Sequence, residues 1–298
     1  MKRQLFCHVG ILVLAVFFIG GVMAQEETGR ELAEYKANFE PYRARLDALL
    51  KERGLVLADY HVHVMKGGQM TPDAVGGYAA WTGLDVGMVE NAGREWLLSD
   101  NEKIAAYLDE AEKAAYAENP KKKAFLIGIQ VNDRDWFRVI SPENLKRLDY
   151  VLADTLVMTK PDGTPQPLWE LPADYNADPE EWMKGYFAHC LNVLDEPITI
   201  WADPLYLPVF CRDQADRLWT EDRVAALVDK AVKNHIAIEI QGPSSFPLDR
   251  LVRIGLAKGA KFCLGTNNFD DKPKSLENWI WFFDHYDIQN DQLLHLTP

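Results

Sequence analysis

From residue 54 onward the chain alternates between two hydrophobic periods. Short apolar runs, each ending in polar residues, are separated by longer stretches in which apolar positions recur every three or four residues. The runs cover 55–61, 85–90, 124–130, 150–154, 198–202, 236–241 and 262–267. Being short and continuously apolar, they read as strands buried on both faces. The stretches between them read as helices. Thr71, Ser141 and Asp178 stand where N-caps belong, and Val224, Leu227, Val228 and Val232 line one stripe of 220–234. Seven strand–helix units in succession imply a parallel sheet. No glycine-rich phosphate loop supports an open, doubly wound sheet. The pattern therefore predicts an α/β fold, a single-domain β/α barrel spanning 55–298.

The residues before the barrel divide in two. Leu32, Tyr35, Phe39, Tyr42, Leu46 and Leu49 recur at helical steps, which predicts a helical segment over 25–54. Ahead of it, Lys2 and Arg3 precede an apolar run over 11–19, and Val22-Met23-Ala24 carries small residues where a signal peptidase reads. Residues 1–24 are expected to be a cleavable signal peptide, the run being short for a membrane span. The mature protein is then periplasmic or secreted and keeps no membrane anchor. Within the barrel, Lys-Pro-Asp-Gly at 160–163 predicts a tight turn. It opens an insertion that runs to about Tyr175 and is expected over the barrel mouth. The segments 66–69 and 203–219 are the other long loops.

Charge and cysteines narrow the class. The net charge is -13 and becomes -15 without the leader, which carries Lys2 and Arg3 and no acidic residue. Such a balance argues against nucleic acid and anionic membranes as partners and leaves a small-molecule substrate. Cys190, Cys211 and Cys263 show no CxxC spacing and read mainly as buried small apolar residues.

In β/α barrels, chemistry sits at the C-terminal strand ends. The first strand ends Asp59-Tyr60-His61-Val62-His63. Residues two apart on a strand face the same way, so His61 and His63 form a two-imidazole grip for a divalent metal. The other ends carry Glu90-Asn91, Gln130 with Asn132 and Arg134, Asp154, Asp203, Glu239 with Gln241, and Asn267-Asn268. These side chains are expected to converge on one pocket. His189 reads as structural, and His235, His285 and His295 have no clustered partners.

Asp-Tyr-His-Val-His after Gly54-Leu55-Val56-Leu57-Ala58 resembles the first motif of the PHP (polymerase and histidinol phosphatase) metal-dependent hydrolase superfamily. The similarity covers nearly the whole mature chain. It continues through Thr71-Pro72-Asp73 to Gly83-Leu84-Asp85-Val86, Gly128-Ile129-Gln130-Val131, Leu148-Asp149-Tyr150-Val151, Ala237-Ile238-Glu239-Ile240, and Gly259-Ala260-Lys261-Phe262 with Gly265-Thr266-Asn267. The resemblance implies a distorted seven-stranded barrel, up to three divalent ions and phosphoester hydrolysis. The chain departs from that pattern at most ligand positions. It has Glu90-Asn91 for Asp-His, Gln130 for glutamate, Asp203 for a histidine before proline, and Asn267-Asn268-Phe269 for Asp-Ala-His. The expected histidine near Asp154 is missing. Only His61 and His63 carry over.

Replacing carboxylates by amides removes the charge that clustered divalent ions require. The expectation is one ion (Zn, Mn or Fe) rather than three, held by His61, His63 and Asp203, with Asp154 and Glu239 as further candidates. Glu239 or Asp154 would be the general base, and Arg134 or Lys66 would stabilise developing negative charge. Glu239 read blandly is a buried acid paired with Arg or Lys. Lys66, Asn91, Gln130, Gln241, Asn267 and Asn268 would bind substrate. Trp136, Trp169 and Trp201 suggest a carbohydrate-related ligand, beside the phosphoester that the family implies. The functional expectation is an exported metal-dependent hydrolase or lyase for a small polar substrate. The alternative is a non-catalytic ligand-binding barrel with a degenerate metal site.

Overall fold

A computed structural model describes residues 37–64, 70–93, 96–132, 134, 136–160, 162–241, 248–270 and 276–297. The leader over 1–24, the start of the helical segment, and Lys66 with the 66–69 loop lie outside these. Residues 37–53 form a helix, α1. The chain divides into two units after Arg45, and the barrel with its surrounding helices belongs to the second, Leu46–Pro298. No helix among the described residues is long and apolar enough to cross a membrane.

Among the described residues, ten strands make up the β-structure: β1 (Ala58–His63), β2 (Asp85–Val89), β3 (Asn91–Ala92), β4 (Leu126–Val131), β5 (Tyr150–Ala153), β6 (Val157–Thr159), β7 (Pro165–Pro167), β8 (Ile200–Trp201), β9 (Ala237–Ile240) and β10 (Phe262–Leu264). Seven of them (β2, β1, β10, β9, β8, β5 and β4, in that spatial order) form the parallel barrel, which β2 closes by pairing with β4. All seven strands expected from the sequence are present, each of them shorter than its apolar run. β3 was not anticipated; its two residues pair with the upper end of β4. Surrounding the barrel are α2 (Pro72–Thr82), α3 (Asn101–Ala115), α4 (Trp136–Val139), α5 (Pro142–Leu145), α6 (Pro179–Val193), α7 (Ala215–Leu218), α8 (Glu221–Lys233), α9 (Leu248–Lys258) and α10 (Leu276–His285). Ser141 and Asp178 cap α5 and α6 through their side chains. Thr71 occupies the N-cap position of α2 but makes no side-chain cap bond, and Pro72 starts that helix instead. The 160–163 turn closes through the Gly163 N–H to the Lys160 carbonyl and joins β6 to β7 in an antiparallel hairpin.

The barrel interior follows the two-residue period of its strands. Ala58, Tyr60, Val89, Leu126, Tyr150, Leu152, Ile200, Ala202, Ala237 and Cys263 form one buried cluster. Tyr150 crosses the interior, donating to the carbonyls of Tyr60 (2.8 Å) and Met88 (3.2 Å). A Cβ at Gly87 or Gly128 would stand 2.5 Å from its ring or hydroxyl, so both positions must stay bare. The chain end closes the N-terminal side of the barrel. The Tyr60 hydroxyl donates to the Leu294 carbonyl and accepts from the Leu296 N–H, while Leu294 and Leu296 pack on the interior cluster. Cys190, Cys211 and Cys263 are buried and unpaired.

Continuing the same period upward replaces apolar groups by polar ones: Gln130 follows Gly128, Asp154 follows Leu152, and Glu239 follows Ala237. One strand breaks the rule. β1 pairs Asp59 with Val86 and then Val62 with Met88, three steps against two. This bulge inverts the side-chain parity. Tyr60 points into the apolar interior, and His61 and His63 nevertheless both face the polar layer.

Asp59 clasps the seam between β1 and β10. Its fully buried carboxylate accepts from the N–H groups of His61 and Thr266 and from the hydroxyls of Thr266 and Tyr78. Replacing it by alanine strands four buried donors. Asp59→Ala is expected to lower unfolding free energy by about 3 kcal/mol in urea titration.

Candidate functional site

His61 is the hub of the polar layer. Its Nδ1 lies 2.7 Å from Glu239 Oε1, and its Nε2 lies 3.1 Å from His63 Nε2 and 3.0 Å from Gln130 Oε1. Gln130 in turn donates to Asp154 Oδ2 at 2.7 Å, and Asp154 Oδ1 accepts the Leu156 N–H. Glu239 Oε2 accepts from the Asp203 N–H (3.0 Å) and from Gln241 Nε2 (2.8 Å). One continuous network therefore links five strands or the residues just beyond them. Gly265 makes room for it, because a Cβ there would overlap the Glu239 carboxylate.

Burial sets the electrostatics. Asp203 is pushed up to about 7 by desolvation, then by the nearby Glu239 charge. Asp154 is raised by desolvation as well. Burial alone would depress His61, but the charge and hydrogen bond of Glu239 carry it to about 9. His63 lies well below its ordinary value, through burial and the neighbouring His61 charge, so its ring is neutral. Glu90 carries a carboxyl raised to about 7 by desolvation, and it accepts its neighbour's N–H. Among the described residues, no Lys or Arg side chain hydrogen-bonds to Asp154, Asp203 or Glu239.

His61, Asp203 and Glu239 bring donor atoms within 4.8 Å of one another and can hold a metal ion. The surroundings fit one. Asp203 Oδ2 is buried without a hydrogen-bond partner among the described residues. Two imidazole nitrogens facing each other at 3.1 Å need a proton or a cation between them. Two buried acids and a half-buried one stand against one protonatable ring, and ionising them leaves negative charge that a divalent ion offsets.

Of the residues expected from the sequence, the structure gathers His61, His63, Gln130, Asp154, Asp203, Glu239 and Gln241. Asn267, with left-handed backbone, stands beside His63 and favours its protonation. Asn91 accepts from Asn132 at the edge of the layer. Two others are engaged elsewhere. The Arg134 guanidinium is held by Glu196 and by the Asn132 carbonyl. The Asn268 side chain donates to the Asp270 carbonyl, and its backbone braces β1 by bonding His61 and His63. Lys66 lies outside the described residues. Glu239 is a satisfied buried acid, but its partners are His61, Asp203 and Gln241 rather than Arg or Lys. Trp136 and Trp201 are buried packing residues, and of the three tryptophans Trp169 alone is exposed. The sequence did not disclose the role of Phe269, whose ring stacks on His63 with centroids 4.1 Å apart. The signal was its place where the resemblance expects histidine.

No protein-family model matches the chain, and no curated protein matches it.

Proposed function

We propose that the protein is a hydrolase or lyase of PHP-like type that uses a single divalent ion, Zn, Mn or Fe, at this centre. The observation that carries the reading is the approach of His63 Nε2 (3.1 Å) and Gln130 Oε1 (3.0 Å) to His61 Nε2, within the group whose donor atoms can hold an ion. These would face the ion together with Asp203, a member of the group that can hold it, and Glu239 would supply compensating charge through His61. A carboxylate on the far nitrogen of a ligating imidazole fixes its tautomer and strengthens it as a ligand, which is the position of Glu239. The ion would supply an acidified water or a polarised substrate oxygen.

The proton work falls to this chain's own side chains. Glu239 and Asp154, the bases expected from the sequence, each have both carboxylate oxygens in hydrogen bonds. Asp203 keeps Oδ2 free of partners among the described residues and titrates near 7. It is suited to take a proton from the attacking group and return it to the leaving group. Its position is enforced by left-handed backbone at Asp203 and at Leu205, whose carbonyl is held by the Trp219 indole at 2.7 Å.

Elemental analysis of the purified protein tests the reading. The wild type is expected to carry about one ion per chain, and the His61→Ala, His63→Ala double variant to carry almost none. Asp203→Asn is expected to lower the bound ion and to reduce turnover by roughly 10²–10⁴-fold. A wild type free of metal, with ligand binding unchanged in the double variant, supports the non-catalytic binding barrel instead.

A further inference from the structure

We infer that the substrate is a neutral pyranose or pyranoside, bound with its C–H face on aromatic rings at the pocket rim. The inference rests on the proposed metal centre and specifies what enters it.

Two observations join here. The first concerns the rim. Of the large apolar side chains left exposed, Leu97, Trp169, Val209 and Phe269 all sit in segments beyond the C-terminal ends of barrel strands. Phe269 is 41% exposed, and its ring stacks on His63 with centroids 4.1 Å apart. Trp169 is 48% exposed and pairs with Trp96 at a centroid distance of 6.2 Å. Both indoles come from loops tethered to the polar layer. Leu168, beside Trp169, donates its N–H to the Leu156 carbonyl, and the Leu156 N–H is held by Asp154. The Trp96 loop closes through the Leu98 N–H to the carbonyl of Asn91, whose side chain is held by Asn132.

The second observation is the chemistry beneath the rim. Asp154, Asp203 and Glu239 accept hydrogen bonds, and Gln130, Gln241 and Asn91 can both donate and accept. That set suits hydroxyl groups, which do both. A phosphate or carboxylate could meet the ion there, but no described Lys or Arg is hydrogen-bonded to these acids to pair with its remaining charge. A ring with an apolar face and neutral hydroxyl edges satisfies both layers at once.

Isothermal titration and saturation-transfer NMR on the full chain test this, with methyl glucopyranosides, methyl galactopyranosides and cellobiose as neutral probes. Glucose 6-phosphate and glucuronate serve as charged counterparts. At least one neutral probe is expected to bind, at least tenfold more tightly than either charged sugar. Trp169→Ala is expected to weaken that binding tenfold or more while metal content and thermal melting stay at wild-type values. Trp169→Phe, which keeps a flat face, is expected to recover part of the loss. Preferred binding of the charged sugars overturns the inference, as does absence of binding by every neutral probe. Unchanged affinity in Trp169→Ala does the same. Metal present without sugar binding removes only this inference, and sugar binding without metal removes only the metal reading.

Discussion

Gly265→Ala is expected to dismantle the polar layer while leaving the barrel strands paired. The added methyl would overlap Glu239 Oε1 and lie 2.7 Å from both Glu239 Cδ and His61 Cβ. Neither side can yield, because Glu239 and His61 are fully buried and joined by a 2.7 Å bond. Moving the carboxylate sacrifices its bonds to His61, the Asp203 N–H and Gln241. Overpacking of this kind costs about 1–3 kcal/mol, and each charge-assisted hydrogen bond lost adds roughly 1.5–3 kcal/mol. A loss of about 4 kcal/mol in urea denaturation is therefore expected, together with loss of bound metal. Gly185→Ala is the matching control. Gly185 lies inside α6 with nothing within 4 Å of its would-be Cβ, so alanine there should stabilise by about 0.5–1 kcal/mol. Equal and small effects at the two sites would refute the packing argument.

The second large effect is a dependence of stability on pH that metal reverses. Asp203 and Glu90 rise to about 7 on folding, and Asp154 rises too, so the folded chain holds protons that the unfolded chain releases near pH 4. Their contribution is complete below the unfolded carboxyl range and is lost as pH climbs through about 7. His61 behaves in the same sense at higher pH. Its folded value of about 9 lies above the ordinary 6.5, so its ion pair with Glu239 contributes fully below 6.5 and is lost as pH passes 9. Metal-free protein should therefore lose on the order of 3 kcal/mol or more between about pH 5 and pH 9. Imidazoles must shed protons to bind an ion, so added Zn or Mn should raise the melting temperature far more at about pH 8 than at pH 5, with proton release on binding. Chelated protein with equal melting temperatures at about pH 5 and pH 9 would contradict this.

Both results rest on residues whose partners lie far away along the chain. The strands were legible because an apolar run flanked by polar residues has few local alternatives. The 150–154 run and β5, at Tyr150–Ala153, differ by one residue. The polar strand ends were legible for the same reason, and the pairing of His61 with His63 came from the two-residue period. Other features were hidden. Whether Arg134 serves the pocket depends on Glu196, sixty-two residues away, which captures it at 3.3 Å. Whether Glu239 is a base depends on which donors surround its two oxygens. Its likeness to Asp154 in sequence terms said nothing of that. Gly265 looked like any glycine at a strand end until Glu239 was found in the space its missing Cβ leaves.

The sequence by itself determined the barrel, its seven strands, and the collection of acids, amides and imidazoles at one end, because strand periodicity and polar termination are properties of neighbouring residues. Only the tertiary structure decided how that collection is arranged. The bulge that turns His61 and His63 away from the apolar interior exists in the register of β1 against β2. The freedom of Asp203 Oδ2 exists in what the closed barrel leaves unpaired among the described residues. Electrostatic and steric roles are set by distances through space, and those distances came into being when the last strand met the first.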